Sequence, residues 1–217
     1  MSTLAENHKS ALLAEIEKLI TAKVPAAQSA QAKMFAAKYC NEVDAEDFVA
    51  RDAAEWAALS LSHLAFGHEF QRGAPKMRIF NPRLTENGWE STSTIIEFVN
   101  DDMPFLVDSI AMEINRQGIA IELMLHPLFD ATRDQHGVLT MLDDAKGGLH
   151  VESWIHVEIE RITDPARIKA LGDGLVSVLS DVRATVEDFP AMKGKISEML
   201  ANMGGACLLY TSPSPRD

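Results

Sequence analysis

Cysteine is scarce in this sequence, with two, Cys40 and Cys207, in 217 residues. Two thiols make no disulfide framework, and beside ten methionines they suit a reducing compartment, hence a cytoplasmic protein. No apolar run approaches the ~20 residues needed to cross a bilayer. Basic residues are outnumbered, 20 Lys and Arg against 32 Asp and Glu, and the net charge of −12 repels both nucleic acid and an anionic membrane surface. The opening MSTLAENHKSALLAEIEKLI mixes acidic with apolar residues and has no small-residue cleavage pattern. It reads as an amphipathic helix and not as a secretory signal. No G-x-G-x-x-G follows a strand pattern to hold a pyrophosphate at a helix start, and Gly172 and Gly174 lie inside a helical pattern.

What is present is ample apolar content, 47%, enough for one domain with an appendage or for two small ones. Residues 1–75 are helical. Leu12, Leu13, Ile16, Leu19 and Ile20 mark a first helix ending near Pro25, and Met34, Phe35 and Tyr39 share one side of a second. Asp52, with Glu55 three residues on, opens the next in a capping-box pattern. Such helices make a small bundle or a cap on something else.

Residues 76–188 change period. A short strand at Met77–Phe80 precedes a βαβ unit over residues 94–129. In its first strand Ile96 and Phe98 share one face, and Ile95, Glu97 and Val99 the other. Asp101 and Asp102 offer carboxylates to a starting helix, with Pro104 in its first turn. Leu106, Ile110 and Ile114, joined by Met103 and Val107, give that helix one apolar stripe. Gly118 supplies a left-handed stop, and Ile119, Ile121, Leu123 and Leu125 line one face of the second strand. The polar stretch 130–150 reads as a mobile, solvated loop with a short strand at 138–142. Val151–Ile159 is a half-buried strand by its alternation, and Asp164-Pro165 opens a helix that Phe189-Pro190 breaks. A last helix occupies 189–206. The order β-α-β-β-α predicts an α+β, ferredoxin-like sandwich of two layers. Its fourth strand is either supplied by Met77–Phe80 or absent from this stretch. The tail 207–217, CLLYTSPSPRD, resembles the translation of a sequencing-library adapter and reads as non-native, the natural chain being cut near Ala206.

Two places are candidates for function. The turn Asn100-Asp101-Asp102-Met103 joins a strand end to a helix start, where N–H groups attract a carboxylate. Asp101 and Asp102 repel that carboxylate and occupy the donors, yet they suit an ammonium, and helix capping is the bland reading. The second place is a polar sheet face. Glu122 and His126 on one strand and His150, Glu152, His156 and Glu158 on the next could converge as around zinc. A solvated or subunit-facing surface shows the same alternation, and Trp154 points to a partner. The face of Glu122, His126, Trp154 and His156 is therefore read as an interface for self-association, with no metal. His63 and His68 read as ordinary packing, Asp143-Asp144 as a solvated turn, and Asp108-Ser109 as no nucleophile.

The block VNDDMPFLVDSIAMEINRQGIAIELMLHPLF, with FNPRLTENGW before it and ESWIHVEIERI after it, resembles the N-terminal region of the large bacterial NAD-specific glutamate dehydrogenases. The resemblance extends over roughly residues 28–203. It implies an ACT-like regulatory module whose 100–103 turn holds a small amino-acid effector. It also implies a parent enzyme that uses NAD, with its dehydrogenase domain far downstream. No catalytic, cofactor-binding or metal-binding residue of that family maps onto this chain, so the fragment alone is expected to be inactive. A free-standing ACT-type amino-acid-binding protein and a small metal-dependent hydrolase are the alternatives.

Overall fold

A computed structural model of the chain describes residues 4–145, 147 and 150–203. The tail at 207–217 lies outside the described residues. Helices α1 (Leu4–Lys23) and α2 (Ala26–Asn41), the single turn α3 (Ala45–Phe48) and α4 (Ala53–Phe66) come first. They are followed by β1 (Lys76–Phe80), the turn α5 (Leu84–Asn87), β2 (Thr94–Asp101) and α6 (Leu106–Arg116). Strands β3 (Ile121–Leu125), β4 (Leu128–Arg133), β5 (Leu139–Asp144) and β6 (Val151–Ile159) precede α7 (Pro165–Met203).

Strand β2 carries apolar side chains on both faces, so one helical layer cannot satisfy it. Ile96 and Phe98 join Ile155 and Val157 of β6 in a core closed by Ile110 and Ile114 of α6 and Leu171 and Leu175 of α7. Ile95 and Val99 face the other way, into a second core with Trp154, Phe129 and the α1–α4 residues Ile16, Ile20, Phe35, Tyr39 and Trp56. The result is an α+β fold of three layers where two were expected. The helical segment is the third layer, and the expected boundary at residue 75 falls inside a shared core.

The sheet is antiparallel, in the order β1-β2-β6-β4-β5, with β3 also paired to β6. Strand β1 pairs with the free edge of β2 and so fills the fourth position of the ferredoxin-like arrangement. On the other side β6 pairs with β4 from Val151 to Ser153 and with β3 from His156 to Ile159. Strands β3 and β4 thus run end to end along one edge, separated by His126-Pro127.

Four expectations are corrected. Over residues 130–144 the polar stretch is no mobile loop. It forms the β4–β5 hairpin, whose Phe129, Ala131, Leu139 and Leu142 are buried. Pro190 does not break α7, which continues to Met203. A proline removes one helical hydrogen bond and bends a helix, and here the residues around it are exposed, so a bend meets no packed neighbour. Asp101 and Asp102 do not cap α6, which starts at Leu106 behind Phe105. Finally, the β3–β6 register shifts between Ile121 and Leu123. That bulge turns Ile121 towards α6 and α7 but Leu123 and Leu125 towards α1–α4, so the four alternate residues do not share one face.

Other expectations hold. Asp52 accepts the Glu55 N–H at 2.8 Å, Asp164 accepts the Ala166 N–H at 2.9 Å, and Gly118 is left-handed at φ 71°.

Candidate functional site

The β2–α6 turn is built by an unusual backbone. Phe105 sits at φ 71°, the one non-glycine residue with positive φ among those described, and precedes the helix with no side-chain cap. Such a conformation costs roughly 1–3 kcal/mol and has to be held by its surroundings. With the chain turned this way Asp102 is directed to the sheet, where it accepts a hydrogen bond from the Ser153 hydroxyl at 2.7 Å. His126 Nε2 lies 2.9 Å from the same hydroxyl oxygen. Because the serine proton goes to Asp102, Nε2 carries the imidazole proton, and Nδ1 is left as an acceptor. Burial pulls the His126 pKa below its ordinary value, against the raising effect of the Asp102 charge.

Asp101 is engaged elsewhere. It accepts from the Gly73 N–H at 2.8 Å and from Arg183 of α7 at 3.0 Å, and Arg183 also donates to the Asn100 side chain at 3.0 Å. Met103 is half-buried against the α6–α7 core. What remains is an open cleft of about 340 Å³ lined by Asp102, Phe105, Val107, Asp108 and His126 among others. A helix start without a side-chain cap, a carboxylate and a neutral imidazole therefore face one small space. Chemically this suits a zwitterion, whose carboxylate meets helix N–H groups while its ammonium meets Asp102.

The polar sheet face has a different outcome from the one expected. Trp154 and His156 are fully buried beneath the chain's own helices, Trp154 against Phe35, Phe129 and His63. The partner that Trp154 called for is intramolecular. Glu122 is exposed and accepts from Ser93, and the β3 bulge keeps both Glu122 and His126 away from His156. Glu152 is taken by Arg133 of β4 through hydrogen bonds of 2.7 and 2.9 Å.

In place of that expected cluster the helices bring a new one to β6. Arg78, Glu97 and His156 are neighbours across β1, β2 and β6. Arg78 Nε donates to Glu97 at 2.6 Å, and His156 Nε2 lies 3.1 Å from Glu158. Arg51, ahead of α4, grips Glu158 with two bonds, and burial, which alone would raise the Glu158 pKa, is outweighed by His156 and Arg51, leaving it at about 2. His63 of α4 is fully buried, donates from Nε2 to the Phe98 carbonyl at 3.1 Å and accepts the Tyr39 hydroxyl at 2.8 Å. Burial lowers its pKa to about 4. Burial also pulls His156 down, but the carboxylates of Glu158 and Glu97 overcome it and leave that pKa raised. Tyr39, Arg51, His63, Arg78 and Glu97 were not singled out from the sequence as one group. The available signal was a glutamate inside the apolar run TIIEFV, opposite a strand alternating Glu and His.

Residues 35–175 match the family described as the ACT1 domain of glutamate dehydrogenase. The chain is 33% identical over 181 residues, 82% of its length, to the NAD-specific glutamate dehydrogenase of Pseudomonas aeruginosa. It is 30% identical over 187 residues, 85% of its length, to the enzyme of that name from Halomonas elongata, and 28% over 129 residues, 56% of its length, to that from Mycobacterium tuberculosis. These matches span 11%, 12% and 8% of the relatives' own lengths. A match that runs from within α2 into α7 takes in the whole sheet with α6 and parts of the helices on both faces, and on that ground the chain belongs to the glutamate dehydrogenase ACT1-domain family.

Proposed function

We propose that this chain is the regulatory and assembly portion of an NAD-specific glutamate dehydrogenase. The parent would convert L-glutamate, water and NAD to 2-oxoglutarate, ammonia and NADH on residues outside this stretch. The names of the relatives support the parent activity. The regulatory reading rests on the β2–α6 cleft, where the start of α6 without a side-chain cap lies beside Asp102 and His126. Its ligand is a small amino acid, bound through both its charges. Ligand binding there biases α6 and, through Arg183, the α7 helix that runs on beyond the sheet.

Calorimetric titration of the chain with a panel of amino acids tests this. Saturable binding of one of them, weakened in Asp102→Asn, is the expected result. No heat from any amino acid removes the sensor reading. Self-association, measured by sedimentation, has to use a surface other than the one around Trp154, which the α1–α4 layer already covers. The fragment is expected to show no NAD reduction with glutamate, and turnover by this chain unaided would overturn the division of labour.

A further inference from the structure

We propose that His63, Glu97 and His156 form a structural site for a divalent transition-metal ion, zinc by the chemistry of its donors. The site would pin the α1–α4 layer to the sheet. One ligand atom from each of the three lies within 4.8 Å of the others, and all three residues are buried. They come from α4, β2 and β6, so an ion held between them joins the helical layer to two central strands.

Two of the atoms are orphans. Glu97 Oε1 and His156 Nδ1 are buried without a hydrogen-bond partner, and they face each other at 3.5 Å. Something electropositive has to fill that gap in a dry interior, either a proton on Nδ1 paired with the Glu97 carboxylate or a metal ion. A charge-assisted hydrogen bond would draw the pair to ~2.7–2.9 Å. Two ligands on a tetrahedral ion with bonds of ~2.0–2.1 Å lie ~3.3 Å apart, which is closer to what is found.

The far side of each group is already anchored in the manner of a metal ligand. His156 Nε2 is held by Glu158 at 3.1 Å, His63 Nε2 by the Phe98 carbonyl at 3.1 Å, and the other Glu97 oxygen by Arg78 at 2.6 Å. These bonds occupy Nε2 of both imidazoles and leave Nδ1 of each as the nitrogen that would ligate. The Tyr39 hydroxyl, 2.8 Å from His63 Nδ1, must yield that nitrogen to the ion and then offers an oxygen for a fourth position. Arg51 and Arg78 already balance Glu158 and Glu97, so the ion adds net charge to a dry site and its affinity falls below that of a thiolate site. Because the helices close over the site, loading is coupled to folding.

The test is to refold the full chain from denaturant with zinc, with cobalt, or with a chelator, and desalt each sample. The proposal expects stoichiometric metal by elemental analysis and a higher Tm for the zinc-refolded chain than for the chelated one. The cobalt sample should show the visible absorption of a tetrahedral site. Glu158→Gln, which neutralises the acceptor behind His156 and also breaks its ion pair with Arg51, should weaken zinc binding by about tenfold. Glu122→Gln, on the exposed edge, should leave it unchanged. Should these variants fail to fold, the cobalt spectrum of the unsubstituted chain still decides. Substoichiometric metal with identical Tm values overturns the site, as does a nitrogen NMR spectrum of metal-free folded protein with both His156 nitrogens protonated, which would place a proton in the gap.

Discussion

Arg51 and Glu158 lie 107 positions apart and meet through two hydrogen bonds of 2.7 and 2.8 Å, one to each carboxylate oxygen. The guanidinium also lies over the Trp56 ring, so it is braced from a second side. Among the described residues this is the one fork-to-fork contact between the helical layer and strand β6, and the Glu158 side chain is only 4% exposed. Replacing Arg51 by Met leaves that carboxylate buried without its main cation. The expected loss is about 3 kcal/mol in urea unfolding. A loss below about 1 kcal/mol would rank the pair with exposed ion pairs.

Two glycines give opposite expectations. A Cβ on Gly67 would run into the Trp154 ring and press on Val99 at 2.9 Å, and Trp154 is fully enclosed. Gly67→Ala should cost about 1–3 kcal/mol as overpacking. A Cβ on Gly174 meets the tip of the Glu113 side chain, held by Arg116 and Gln117. That tip can swing away, and alanine favours a helix by roughly 1 kcal/mol over glycine. Gly174→Ala should therefore be near neutral. Equal losses in the two variants would contradict this packing.

The last stretch of α7 buries nothing. Phe189, Met192, Ile196, Met199 and Leu200 are all exposed, whereas Leu171, Leu175 and Val182 close the sheet. A chain ending at Val186 should unfold within about 1 kcal/mol of the longer one. A large drop in Tm would mean that residues 187–203 contribute to the fold.

Removing the helical layer has the opposite consequence. A chain starting at Lys76 would expose Trp154, Phe129, Val99 and Ile95 on one face, together with the charges of Glu97 and Glu158. We expect it to be insoluble or to lack a cooperative transition. Recovery of a monomer with a sharp transition would show that the sheet stands without its third layer.

His126 provides a pH test. Burial holds its folded pKa below the ordinary value of 6.5, against Asp102 and Glu42. The unfolded chain therefore takes up the proton first as pH falls. The stabilisation is complete above that unfolded value and is lost as pH drops through it towards the folded pKa. Imidazole NMR should place His126 below 6.5. His126→Gln should remove this part of the acid dependence, and a folded pKa above the ordinary value would reverse the sign.

Local rules were enough for the elements that close over short distances. Apolar spacing marked α6, the cap at Asp52 and the stop at Gly118 marked their helices, a short apolar run marked β2, and alternation marked β6. The fold class followed from their order, because the βαββα succession leaves few ways to bury each apolar stripe. The candidate turn was also legible, as the join between a strand and an acidic helix start. Its chemistry was not, because the left-handed Phe105 that sends Asp102 to Ser153 has no composition signal.

Only tertiary structure decided which way the polar sheet face looks. A strand reading Glu-Ser-Trp-Ile-His-Val-Glu is equally consistent with water, a second subunit or a buried charge network, since period two says only that its faces differ. The choice was made by residues far away in the chain: Arg51 to match Glu158, His63 and Tyr39 to cover His156, and Arg78 to match Glu97. Sequence by itself set the elements and their order, because those depend on neighbours a few positions apart. The buried network exists because charge has to be compensated wherever water is excluded, and that depends on what folding places opposite.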